Sequence, residues 1–447
     1  ATGTYADKDA GTKKDVTLTL TLSGTDGTEI DWGNYSYNDQ ALTEGKITLT
    51  KAGAGTITPK AITVTGISAV NRVYDGTTKV QLTGTPETTE GSFIGKDDVS
   101  FSAISNQTGT VTDAKAEDGK TGTVAAETLK GLLTGEDAEN YTVTQEYPTT
   151  VDITPRPVTL QFPNGNSSMT TSYDPNGLTS KPNVYKVSAV APAEGTGFVS
   201  SDALADGDIQ YTFKQDDKDV ENPINVGEYT VTAELTDEAA KKWSNYTIEA
   251  ITGTVEIIQA TEELTVTVTE KTGLTYTGQG QDPIQKITVK GGELNLAEGK
   301  DYTIGYSLDS SGSYTLNRQG LTEAVKDAGE YTIYWKVNAT NYGEKTDSVS
   351  ITVGKATLEL NRRVTDSKTY DGTTNADGQV NDVILTGQQN GEQISVGTVT
   401  AVYNQATVEE GTRLTITYPL KDEGGAKLSN YQVSIAGQPA QDGAEQM

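Results

Sequence analysis

The sequence predicts an all-β chain, a tandem array of small, Ig-like β-sandwich modules. Three observations predict it. The pentapeptide Tyr74–Thr78 (YDGTT) returns letter for letter at Tyr370–Thr374. An Asn-Tyr step recurs at Asn34-Tyr35, Asn140-Tyr141, Asn245-Tyr246, Asn341-Tyr342 and Asn430-Tyr431. Short recurring seams lead into stretches that alternate apolar residues with Thr, Gln or Glu, as a strand with one buried face does. A β-grasp module with one short helix is the alternative topology.

The YDGTT stretch reads as a strand end, an aromatic anchor and a tight turn. Tyr74 and Tyr370 supply an apolar body with a polar tip. Asp75-Gly76 and Asp371-Gly372 are turn dipeptides, because Gly takes φ > 0 without steric cost and Asp bonds to its own backbone. Looser echoes stand at Tyr173-Asp174-Pro175-Asn176-Gly177 and Tyr276-Thr277-Gly278. The four tyrosines lie 99, 103 and 94 residues apart. That period matches one small sandwich and overrides the ~150 residues per domain that length alone suggests.

The seams set the boundaries. Ile57-Thr58-Pro59-Lys60-Ala61 and Ile153-Thr154-Pro155-Arg156-Pro157 are the same in kind; Ile258-Gln259-Ala260 and Gly354-Lys355-Ala356 take their place without Pro. Alternating strands follow at Ile62/Val64, Val158/Leu160/Phe162, Leu264/Val266/Val268 and Leu358/Leu360. The Asn-Tyr steps come late in each period and open a last strand, with the Tyr as its core anchor. Residues 1–57 are then a partial module, with a closing step and no Tyr-Asp-Gly. Whole modules follow at 58–153, 154–257, 258–353 and 354–447. The middle two form a pair: Tyr229/Val231/Ala233/Leu235 match Tyr331/Ile333/Trp335/Val337 at a constant offset of 102. Helix is expected only at Ala125–Leu133 and Asp237–Trp243.

Charge narrows the partners. A net charge of −28 disfavours nucleic acid and anionic membrane as partners, since both repel it, and leaves Ca²⁺ affinity or a basic partner open. With no Cys and no His there is no disulfide, thiolate or imidazole site. No run is long enough to insert in a bilayer, and no signal peptide is seen. The first residues read as cut from a longer parent, and the chain is expected to be a monomer.

The YDGTT openings, LTGEDAENY (Leu133–Tyr141) and TITPKAITV (Thr56–Val64) resemble the YDG repeats of bacterial surface proteins. GTYADKDAG (Gly3–Gly11) resembles a mid-module piece of the same repeat. Modules 154–257 and 258–353 resemble the related MBG-type repeats through NVGEYTV (Asn225–Val231) and DAGEYTI (Asp327–Ile333). The resemblance implies a secreted or wall-attached Gram-positive parent. It implies a stalk or adhesin segment whose partner is a host glycan or extracellular protein, and no catalytic residues. Binding modules in their own right, or an accessory region of a carbohydrate-active enzyme, are the alternatives.

Chemistry is sparse. A nucleophilic triad lacks its His base, and Gly119-Lys120-Thr121 lacks the first Gly of a phosphate loop. No enzyme and no obligate cofactor are expected. Asp217, Asp219 and Glu221, in an acidic loop, are the one Ca²⁺ candidate, against a solvated hairpin as the plainer alternative. Trp243 and Trp335 are expected in the cores, each filling the space its sister module leaves at Ala339 and Ala233.

Overall fold

The computed structural model describes residues 1–27, 29–365, 367–408, 413–436 and 441–442 of the chain. They form two compact units, described in turn: Ala1–Ser167, Tyr185–Thr212 and Val231–Gly253 make one, and Ser168–Val184, Phe213–Thr230 and Thr254–Met447 the other. Both units hold part of the segment 154–257.

The first unit opens on a three-stranded antiparallel sheet, Thr2–Tyr5, Gly11–Thr21 and Lys46–Ile57. Its second sheet has six strands in the order Val64–Ala69, Lys79–Thr88, Thr108–Val111, Glu117–Val124, Tyr147–Thr154 and Arg72–Val73. Alternation decides its faces: Val80 and Leu82 are buried, while Lys79 and Gln81 between and beside them are exposed. One core gathers Val64, Leu82 and Val124 of this sheet with Ile62, Tyr141 and Val143, and Leu129 of a helix caps it. That helix, Ala126–Lys130, lies in the expected stretch. A second helix, Asp237–Lys242, starts where Thr236 accepts the Ala239 N–H, with acids in the first turn and lysines in the last.

The second unit shows sheet-on-sheet packing directly. Leu264 and Val289 of a three-stranded sheet (Leu264–Glu270, Ile284–Gly291, Leu294–Asn295) share one core with Ile333, Trp335, Val337, Ile351 and Val353 of a four-stranded one. The four-stranded sheet runs Leu274–Thr275, Gly343–Gly354, Gly329–Ala339, Thr303–Ser307. A third helix, Arg318–Ala324, was not expected. Gly320 and Thr322 lower its propensity, but Asn317 caps it and Leu321 and Val325 are fully buried, so tertiary packing supplies the stability.

The fold is all-β, with few helices, as expected. One feature of its topology escaped the sequence. Strands at the two ends of a segment pair in parallel, not antiparallel: Lys60–Ala61 with Tyr141–Thr142, Arg156–Val158 with Tyr246–Ile248, and Ala356–Leu360 with Tyr431–Ile435. Each of these pairs joins a seam strand to the strand that an Asn-Tyr step opens. A second parallel set joins Arg72–Val73 to Ile153-Thr154, Ser168–Ser172 to Thr254–Ile258, and Leu274–Thr275 to Val353-Gly354. Period-two alternation gives which face a strand buries but not the direction of its neighbour.

Candidate functional site

The second parallel set fixes where the Tyr-Asp-Gly tyrosines go. Each strand of that set ends at one of them, and its backbone N–H donates to the following seam: Tyr74 to Thr154 O (2.9 Å), Tyr173 to Ile258 O (2.8 Å), Tyr276 to Gly354 O (2.8 Å). The turn after the Tyr is held by its Asp. The Asp75 carboxylate accepts the Thr77 N–H at 2.8 Å, and Asp371 accepts that of Thr373 at 2.9 Å. Gly76 and Gly372 take φ of +76° and +71°, as the dipeptide requires. A basic residue two positions before the Tyr spans the turn: Arg72 meets Asp75 and Thr77 O, Lys368 meets Asp371 and Thr373 O. Those hydrogen bonds hold the Asp371 carboxyl down to about 2, the Thr373 N–H first and Lys368 second.

The Asn-Tyr steps form the other half. A single 3-10 turn precedes three of them, at Trp32–Asn34, Ala138–Asn140 and Leu428–Asn430. In each, the Tyr N–H returns to the first residue of the turn. At four steps the Asn side chain reaches across the seam. Its carbonyl accepts a backbone N–H from a loop over a hundred residues earlier: Asn140 from Ala10, Asn245 from Ala116 (2.9 Å), Asn341 from Val226 (3.0 Å), Asn430 from Ala328 (2.9 Å). Its amide bonds Asp9, Asn225 and Asp327 at Asn140, Asn341 and Asn430. The Asn245 and Asn430 side chains also meet the Tyr74 and Tyr276 hydroxyls.

The rings then meet. Tyr74 packs edge-to-face on Tyr246 at 5.3 Å, Tyr173 on Tyr342 at 5.3 Å, and Tyr276 on Tyr431 at 5.4 Å. The two motifs that the sequence singled out separately are thus two parts of one repeated joint. Tyr141, which has no Tyr-Asp-Gly partner upstream, packs on Phe93 instead.

A third component was missed. The Asn-Tyr hydroxyl donates to a carboxylate and accepts a backbone N–H: Tyr141 with Asp97 and Ile94, Tyr246 with Asp202 and Val199, Tyr431 with Glu392 and Gln389. The acid always stands three residues after the donor, in a turn closed by its own N–H to the donor's carbonyl. In sequence these turns are IGKD, VSSD and QNGE. Only the spacing of the acid before the Tyr, 44, 44 and 39 residues, marked them. Glu392 also accepts from Tyr276, so one carboxylate closes both rings of that joint. Burial pushes the Tyr276 hydroxyl up to about 12, and Glu392 adds to it; Tyr431 is raised for the same two reasons, and Tyr246 by burial and Asp202. Tyr342 departs from the pattern. Its ring lies on Gly291, where an added Cβ would sit 2.1 Å from it.

One Asn-Tyr tyrosine, Tyr35, is not the core anchor expected, and the second YDGTT tyrosine, Tyr370, is not an anchor either. Tyr35 is 57% exposed and Tyr370 64%. Neither has a joint partner among the described residues. The Ca²⁺ candidates are not gathered either. Asp216 and Asp217, both with φ > 0, form a hairpin tip, and Asp217, Asp219 and Glu221 are exposed. No three His, Cys, Asp or Glu side chains among the described residues are placed to hold a metal. The geometry is that of a solvated hairpin. Trp243 and Trp335 are buried at 8% and 3%, and Ala233 and Ala339 completely, as the space-exchange argument requires.

Residues 58–150 and 354–440 match the family model described as YDG domain. The match falls on the two segments that carry the YDGTT openings. None of the curated proteins compared with the chain matches it. Among solved structures, the human desmocollin-1 ectodomain is 10% identical, with 93% of this chain and 80% of that one covered and a TM-score of 0.19. The surface layer protein SbsC, domains 4–9, is 12% identical, with 95% and 82% covered and a TM-score of 0.22. The protocadherin γB4 extracellular domain is 9% identical, with 95% and 76% covered and a TM-score of 0.22.

Proposed function

We propose that the chain is a non-enzymatic stalk or adhesin segment of a bacterial cell-surface protein, built from modules 1–57, 58–153, 154–257, 258–353 and 354–447. One observation carries this reading: the same Asn-to-backbone bond recurs at Asn140, Asn245, Asn341 and Asn430, each across a proposed seam. A repeated polar clamp with an aromatic pair fixes neighbours at a seam, which suits a segment that projects something away from a surface. The YDG match of 58–150 and 354–440 supports the surface setting. The middle two modules are read as MBG-type on their Gly-Glu-Tyr-Thr strands. Among the described residues no helix is long and apolar enough to cross a membrane, so attachment to a cell wall is part of the proposal and not of the fold.

A screen of the full chain against arrayed host glycans and extracellular matrix proteins tests the choice within this reading. A stalk gives no specific hit. Hits that substitutions in exposed loops abolish assign the binding to the modules themselves. Turnover of an arrayed glycan would overturn the non-enzymatic reading.

A further inference from the structure

Within the segment 58–153, the strand by which the chain enters and the strand by which it leaves are each held to a neighbour that runs the same way. At the entry, Lys60–Ala61 pairs in parallel with Tyr141–Thr142, and Ile62 N–H donates to Thr142 O at 2.9 Å. At the exit, the strand Tyr147–Thr154 ends with Ile153 and Thr154 paired in parallel with Arg72–Val73, and Tyr74 N–H donates to Thr154 O at 2.9 Å. Two further patches repeat the arrangement later in the chain. Arg156–Val158 with Tyr246–Ile248 is an entry patch, and Ser168–Ser172 with Thr254–Ile258 is an exit patch.

The direction of these pairs decides how they meet a pull along the chain. Tension draws the entering strand back toward the N-terminus and the leaving part of the chain on toward the C-terminus. For two parallel strands these pulls lie along the strands and point opposite ways. The evenly spaced bonds between them are then loaded together, in shear. Two strands drawn apart from a shared end instead lose their bonds one at a time. At the exit, Ile153-Thr154 is drawn forward past Arg72–Val73, which the rest of the segment holds back. Both patches are anchored: Tyr141 and Ile153 are 1% and 0% exposed, and the Tyr141 hydroxyl is fixed by Asp97 and the Ile94 N–H.

We propose that the two parallel patches of 58–153 form a shear clamp that lets this segment stay folded while it carries tension along the chain. The clamp acts on the rate of forced unfolding, which follows the unfolding barrier and not the equilibrium stability. It goes beyond the stalk reading, because a spacer has to hold a distance and need not resist a pull.

Single-molecule stretching of the full chain in two directions tests it. The chain has no Cys, so a pair of Cys substitutions attaches handles at chosen residues alone. Pro59→Cys with Pro155→Cys uses two exposed seam positions that have no backbone N–H to lose, and draws the segment along both patches. Pro59→Cys with Glu139→Cys, the latter exposed in the turn before Tyr141, draws the entry patch apart from the end at which both its strands begin. At one loading rate the rupture force should be severalfold higher between 59 and 155 than between 59 and 139. Circular dichroism and a denaturant midpoint matching wild type check that both variants start from the same fold. Equal forces in the two directions, or a lower force between 59 and 155, overturn the clamp. Neither result bears on the stalk reading, which the glycan and matrix screen decides.

Discussion

A tyrosine hydroxyl that is buried against a carboxylate has to stay protonated. Tyr276 and Tyr431 both donate to Glu392, and their hydroxyls are raised, that of Tyr276 to about 12. Their unfolded value is ~10. A folded value above the unfolded one stabilises below pH ~10 and loses that contribution as pH rises through the folded value. Absorbance of tyrosinate should therefore show the joint tyrosines ionising only above the ordinary tyrosine value, with unfolding following that step. Tyr431→Phe removes the hydroxyl while Glu392 and the Gln389 N–H lose a partner. It should cost about 1–3 kcal/mol in denaturant unfolding and leave the ring pair in place. At the other end of the scale, Asp371 is held at about 2. Its turn contributes above the ordinary carboxylate value and loses that contribution as pH falls toward 2. A carboxyl titration followed by NMR should place Asp371 well below the ordinary carboxylate value.

Among elements, the joint joins a strand end to a turn. Tyr342 lies where any side chain at position 291 would collide with its ring. Gly291→Ala should push Tyr342 off Tyr173 and destabilise by about 1–3 kcal/mol, the range of overpacking elsewhere; denaturant unfolding gives the cost and the tyrosine near-UV dichroism the lost pair. Trp335 makes the contrasting case. It is buried in the sandwich core, so Trp335→Ala should cost about 3–5 kcal/mol without touching any joint. Much of this level was legible beforehand. Alternation named Ile62, Val64, Val158, Leu160, Phe162, Leu264, Leu358 and Leu360, all of them buried, and Val266 and Val268, which are half-buried. The helix at Arg318–Ala324 was hidden because burial of Leu321 and Val325 outweighs weak propensity, and a single sequence shows propensity but not burial. Parallel pairing was hidden because side-chain period is the same in both directions of a neighbour.

For the whole molecule, recurrence was the readable signal and partnership was not. Tyr74 and Asn245 could each be seen to recur, yet their distance in sequence gave no reason to join them. Asp97, Asp202 and Glu392 were lost among 62 acidic residues, where no single carboxylate stands out. The acidic hairpin at Asp217 drew notice for its density of charge, while the joints are built from sparse, spaced residues. The account rests on the Asn side chain taking a backbone N–H across each seam. Hydrogen exchange at the Ala116 amide, in wild type and in Asn245→Ala, tests that most directly. The joint predicts protection of Ala116 in wild type and exchange faster by roughly 10–100-fold in the variant, the loss of one partly buried hydrogen bond. Equal exchange at Ala116 in the two proteins would contradict it.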